Sequence, residues 1–202
     1  MRKKNKIIAS LVIGLFVSGC SHDLIPPQRN NYFSHESVEN YTSSSDLVMN
    51  GTNVSNNLRV NGDFYGSNSH FKHVDLNGNS KLANSVVTGI FNVNGRTKLD
   101  KVSVLDNLNV SGDILITHSW IKKPFEVRGK HVKLYNSWVK DIIVKDSKYD
   151  TVIEVHGGTQ VKGNIVFASG RGKVYIDKDS RVHGSIIGGE KEREQEMDVT
   201  LG

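Results

Sequence analysis

The sequence predicts an all-β chain: a single-stranded β-solenoid of triangular section, with about 17 residues per coil and wider coils near the C-terminus. Three observations predict it. A five-residue phrase recurs at a nearly constant step, apolar and polar residues alternate inside it, and glycine closes most copies. With 202 residues, 37% of them hydrophobic, the chain suits one folded domain with segments at either end. Nineteen glycines against three prolines point to tight turns at fixed places rather than to disorder.

Residues 1–19 begin with a basic stretch, Met1 to Lys6, followed by an apolar run from Ile7 to Val17. That run is shorter than the roughly 20 residues needed to span a bilayer and has the length of a signal peptide. Val17-Ser18-Gly19-Cys20 resembles the bacterial lipobox. The resemblance implies cleavage between Gly19 and Cys20, diacylglycerol on the Cys20 thiol and acylation of the new amine. Several acyl chains anchor firmly where one binds marginally. Ser21, where lipoproteins kept at the inner membrane commonly carry aspartate, implies the outer membrane. Cys20 is also the only cysteine, so the chain holds no internal disulfide.

Residues 20–51 contain Pro26-Pro27, Asn30-Asn31 and Ser43-Ser44-Ser45 without sustained apolar periodicity. They are expected to form a lipidated, flexible tether. The alternative is that Tyr32, Phe33 and Tyr41 pack against the domain.

Residues 52–189 carry the repeat. The phrase runs Leu58-Arg59-Val60-Asn61-Gly62, Val74-Asp75-Leu76-Asn77-Gly78, Phe91-Asn92-Val93-Asn94-Gly95, Leu108-Asn109-Val110-Ser111-Gly112 and Phe125-Glu126-Val127-Arg128-Gly129. Ile142-Ile143-Val144 opens a degenerate sixth copy. The copies start at positions 58, 74, 91, 108, 125 and 142, so the step is 16 once and 17 thereafter. The first and third side chains of each phrase face one side of a strand, and the glycine turns the chain by adopting positive φ. Leu82, Leu99 and Ile116 form a second column; Val87, Val104, Ile121 and Trp138 form a third. Three apolar clusters per coil imply three short strands around a tube. The coil from Phe91 to Asn107 offers Phe91, Val93, Leu99, Val102, Val104 and Leu105 to its interior. Asn61, Asn77, Asn94 and Ser111 would stack along one corner as a structural ladder. A β-sandwich would explain the alternation but not the constant step.

Beyond Asp146 the step widens. Val161-Lys162-Gly163-Asn164-Ile165 and Val182-His183-Gly184-Ser185-Ile186 start at positions 161 and 182, a step of 21. Ile153-Glu154-Val155 and Val174-Tyr175-Ile176 keep the same step. Residues 190–202 form a charged tail that either frays or covers the last coil.

Val110-Ser111-Gly112-Asp113-Ile114 and the two C-terminal Val-x-Gly-Asn/Ser-Ile copies resemble the bactofilin-like, polymer-forming β-helix family, over roughly residues 54 to 189. The resemblance implies a right-handed triangular β-helix that stacks into filaments without nucleotide. Bactofilins act on the cytoplasmic side, whereas the lipobox directs this chain outward.

The chemistry points away from catalysis and from nucleic acid. The formal charge is +5, but Arg2, Lys3, Lys4 and Lys6 lie in the export segment, leaving 22 cations against 21 acids in the mature chain. Phosphate recognition needs clustered cations. His70-Phe71-Lys72-His73 lacks the acid or cysteine of a metal site, no cofactor motif occurs, and no nucleophile elbow is present. Asp141, Lys145, Asp146 and Lys148 are the densest charged cluster and read as turn residues. The expected role is that of a structural or assembly lipoprotein of the cell envelope, self-associating or docked in a protein complex. The alternative is a module binding polysaccharide or peptidoglycan through a flat face bearing Trp120, Tyr135, Trp138 and Tyr149. A small carbohydrate-active enzyme is a third reading.

Overall fold

Alternating side chains and a fixed step put similar residues directly above one another, and parallel strands bind the coils together. The structure, a computed structural model, describes residues 31–146 and 148–193. Among the described residues there is no helix, and every strand pairing is parallel. The first face is a ten-stranded sheet running from Asn31–Ser34 to Glu190–Arg193. Its nine steps make about nine turns.

The second and third faces share one 15-stranded sheet. Its early strands, Ser37–Ser43, Asn53–Val60 and His70–Leu76, serve both faces. After them it divides. Val86–Val87, Ser103–Val104, Trp120–Ile121, Trp138–Val139, Gln160–Val161 and Arg181–Val182 form the second face. Phe91–Val93, Leu108–Val110, Phe125–Val127, Ile142–Val144, Ile165–Phe167 and Ile186–Ile187 form the third.

The expected columns exist. Val93 lies opposite Val110, and Leu58, Val74, Phe91, Leu108, Phe125 and Ile142 stack in order. Leu82, Leu99 and Ile116 do the same on the first face. All are buried in one core. Large residues are accommodated by small ones: Phe64 meets Phe71 edge to face at 5.6 Å, and Gly66 and Ser80 leave the room they fill.

Each corner has its own chemistry. Between the first and second faces, His35, Asn68, Asn84, Lys101, His118 and Asn136 adopt left-handed φ of 48–55°. A buried Ser or Thr follows at most of these corners. Ser119 Oγ accepts from Val102 N at 2.9 Å and donates to Thr117 O at 2.6 Å, and Thr52, Ser69, Ser85, Ser137 and Thr159 repeat parts of this pattern. The corner after the third face holds the glycines. A Cβ at Gly95 would lie 2.2 Å from the carbonyl oxygen of Gly78, and Gly78, Gly112 and Gly129 meet the preceding glycine in the same way. The close approach of coil to coil therefore requires the glycine column, while the positive φ expected for it is found at Gly78 and Gly112 and not at Gly62, Gly95 or Gly129.

Several boundaries move. Among the described residues the solenoid already begins at Asn31, ahead of residue 52: Leu47 and Met49 are fully buried, and Phe33 meets Tyr41 edge to face at 4.6 Å. The expected tether therefore covers at most residues 20–30, outside the described residues. An end coil has a neighbour on one side only, so its sequence carries less apolar patterning. At the other end Glu190–Arg193 pairs with Lys173–Ile176, so the first part of the expected tail is a strand. The third column passes through Val139, not Trp138. Ile121 is opposite Val139 because the coil between them is one residue longer than those before it. Leu105 is half-buried rather than interior, since it follows Val104 on the opposite side of the strand.

Candidate functional site

Exposed aromatic residues on a flat sheet are the strongest chemical feature that the fold presents. Trp120 and Trp138 lie directly opposite each other in neighbouring coils of the second face. Each follows the corner serine of its coil, Ser119 or Ser137, so alternation turns the serine inward and the indole outward. The rings meet edge to face at 5.8 Å. Trp120 is 41% exposed and Trp138 is half-buried.

The other two aromatics expected on this surface lie elsewhere. Tyr135 ends a first-face strand, across the corner from Trp138, and stacks on His156 with centroids 5.1 Å apart. His156 in turn lies 3.6 Å from Glu154 and 3.9 Å from Asp177. Tyr149 is outside the strands, 40% exposed, with the ammonium groups of Lys130 and Lys148 at 4.4 and 5.0 Å from its ring. The four-residue face thus reduces to a tryptophan pair. Sequence proximity had grouped residues that three separate surfaces carry.

The structure adds a row that sequence reading missed. Lys122, Lys140, Lys162 and His183 occupy equivalent outward positions two residues beyond Trp120, Trp138, Gln160 and Arg181. The three lysines, His183 and Arg181 are exposed. Lys162 Nζ lies 3.5 Å from Gln160 Oε1 and 3.3 Å from His183 Nε2. Widening of the C-terminal coils hid the row, since the steps between its members are unequal.

The charged cluster around Asp141 is structural. Asp141 Oδ1 accepts from Asn164 N at 2.7 Å, and Lys145 pairs with Glu126 at 2.8 Å. His73 is likewise engaged, its Nδ1 accepting from Ile90 N at 3.1 Å. Among the described residues no three His, Cys, Asp or Glu side chains converge as metal ligands.

An open depression of about 570 Å³ lies over the third face. Its polar lining is occupied by its own ladder: Asn92 Nδ2 donates to Asp75 Oδ1 at 2.7 Å and Asn109 Nδ2 to Asn92 Oδ1 at 2.8 Å. Asn94 Nδ2 donates to Asn77 Oδ1 at 3.0 Å, a rung of the expected corner ladder.

Two carboxylates are held below their ordinary range. Burial pushes Asp100 up, but hydrogen bonds from Thr117 and His118, with the His118 charge, outweigh it. At Asp177 burial again acts upward, and hydrogen bonds from Ser180 and from Gly157 N prevail. Both brace corners.

Gly19 and Cys20, the expected cleavage and lipidation residues, lie outside the described residues. No protein-family model, curated protein or solved structure matches the chain.

Proposed function

We propose that this is a lipid-anchored protein of the bacterial cell envelope, held at the outer membrane through Cys20, whose solenoid is a non-catalytic scaffold that binds an envelope polysaccharide or peptidoglycan. The Trp120–Trp138 pair carries the reading. Two indoles in register on neighbouring coils, edge to face, present apolar ring surface with polar edges, which suits the C–H faces of sugars. Tight corners raise no walls around them, which favours a long ligand lying on the surface over a small molecule in a cleft. The lipobox at Val17 to Cys20 supports the membrane placement.

Pull-down of the full chain on isolated peptidoglycan and envelope polysaccharide tests the binding role. Retention should fall at least tenfold in Trp120→Ala and in Trp138→Ala, and equal retention of both variants would end the reading. Labelling with a radioactive fatty acid tests the anchor: Cys20→Ala should lose the label.

A second reading, assembly through the solenoid ends, draws support from the end strands. Asn31–Ser34 at one end, and Ile186–Ile187 and Glu190–Arg193 at the other, pair on one side only among the described residues. Electron microscopy of the chain cleaved after the tether tests it, and uniformly monomeric particles at high concentration would count against it.

A further inference from the structure

We infer that the ligand of the second face is an acidic polysaccharide, bound along the solenoid axis with its sugar rings on Trp120 and Trp138 and its carboxylates paired with Lys122, Lys140, Lys162 and Arg181. The inference rests on the glycan reading of the tryptophan pair and adds the charge of the partner.

The unpaired cations carry it. On the other faces some outward cations meet carboxylates: Lys133 meets Glu154 at 2.9 Å and Lys173 meets Glu192 at 3.2 Å on the first face, where Lys81 and Lys98 also stand opposite each other outside these pairs. On the third, Lys145 meets Glu126 at 2.8 Å and Arg59 meets Asp75 at 3.7 Å. None of the ion pairs among the described residues includes Lys122, Lys140, Lys162 or Arg181. Alternation along Trp120–Lys122, Trp138–Lys140, Gln160–Lys162 and Arg181–His183 places no acid on this face, and Asp141 at its rim is committed to Asn164 N. Like charges directly opposite one another in neighbouring strands are destabilising. Three lysines in succession stand opposite one another here, and no ion pair among the described residues offsets their repulsion. An anionic ligand would supply it.

The geometry narrows the anion. Coils are spaced by about 4.8 Å, the separation of hydrogen-bonded strands, so Lys122, Lys140 and Lys162 present roughly one cation per 4.8 Å along a straight line, with Arg181 in the adjacent row of Trp120 and Trp138. A linear polymer with one negative charge per repeating unit matches that pattern. A nucleic-acid strand carries a phosphate every ~3.4 Å and is bound through denser basic patches. The aromatic pair also favours sugar rings over isolated carboxylates, since it lies within the same four coils as the lysines.

The test uses the full chain and two forms of one polymer, polygalacturonate and its fully methyl-esterified, neutral counterpart. Affinity electrophoresis should show polygalacturonate bound at least tenfold more tightly than the ester, with binding weakening as salt rises. The triple variant Lys122→Gln, Lys140→Gln, Lys162→Gln should lose at least tenfold in affinity for the acid form and keep its weak affinity for the ester. Its thermal midpoint should equal or exceed that of the parent, because repulsion has been removed; a matching circular dichroism spectrum confirms that it folds. Equal binding of the two polymers overturns the charge inference and leaves the glycan reading standing. Binding of neither, with isolated peptidoglycan and envelope polysaccharide also unbound, overturns both. Equal or tighter retention of single-stranded DNA or of anionic lipid vesicles overturns the assignment to an acidic glycan.

Discussion

Asp177 shows how a single side chain holds a corner. Its Oδ2 accepts from Gly157 N at 2.6 Å and its Oδ1 from Ser180 N at 2.8 Å, tying one widened coil to the next. Its folded-state pKa is lowered, so its contribution to stability is present above the unfolded value of about 3.9 and disappears as pH falls through the folded value. Urea unfolding of Asp177→Asn should show a lower midpoint than the parent at pH 7, with the gap closing below about pH 4. A gap independent of pH would mean that the charge is irrelevant. Gly95 acts through absence. An alanine methyl there would press on the Gly78 carbonyl and force two coils apart, so Gly95→Ala should cost on the order of 3 kcal/mol by urea unfolding. Arg96→Ala beside it should stay within about 0.5 kcal/mol. The glycines were legible in the sequence as turn markers, but the reason for them was not. A carbonyl one full coil away is invisible to any local reading of backbone preference.

At the scale of strands and corners, the columns were readable because period two within a strand and a constant step between coils are both sequence properties. Val93 over Val110 follows from arithmetic alone. Trp138 was misplaced by the same arithmetic: one extra residue between Ile116 and Leu134 moves the interior position to Val139. The strands at residues 31–50 were missed because Ser, Asn and Tyr at outward and corner positions dilute the alternation. The hydroxyl ladder was also missed, although it repeats at the coil step, because serine before a strand reads as an ordinary loop residue. Its worth can be measured. Ser119→Ala leaves the buried Val102 N without its acceptor and should cost about 1–3 kcal/mol in urea unfolding. Ser119→Thr should be tolerated within about 1 kcal/mol, because Thr52 and Thr159 already occupy this column. Equal losses in both would show that volume, not the hydrogen bond, matters at the corner.

Over the whole molecule, tryptophans were legible as candidates by residue type alone, whereas the lysine row required knowing which residues of unequal coils share a level. That equivalence between coils is itself testable. In a solenoid each coil touches only its neighbours, so stability is close to a sum of coil and interface contributions. Deleting Phe91–Asn107 removes one whole turn and joins Ile90 to Leu108. Val74 would then meet Leu108, Gly78 would meet Gly112, Leu82 would meet Ile116 and Val87 would meet Ile121, each pair compatible with its column. The deletion would also bring Ser85 beneath Ser119. At present Val102 stands between them in the hydroxyl ladder and offers Ser85 N no side-chain acceptor, so the shortened chain gains a rung there. The shortened protein should keep a β-type circular dichroism spectrum and unfold cooperatively, with a denaturant slope lower by roughly a tenth. Deleting only Phe91–Lys98 joins Ile90 to Leu99 and throws every later side chain out of level, so that variant should not unfold cooperatively. If the shorter deletion folds as well as the full turn, or the full turn abolishes folding, the coils are not interchangeable units, and the lysines two residues beyond the tryptophans lose their claim to a shared row.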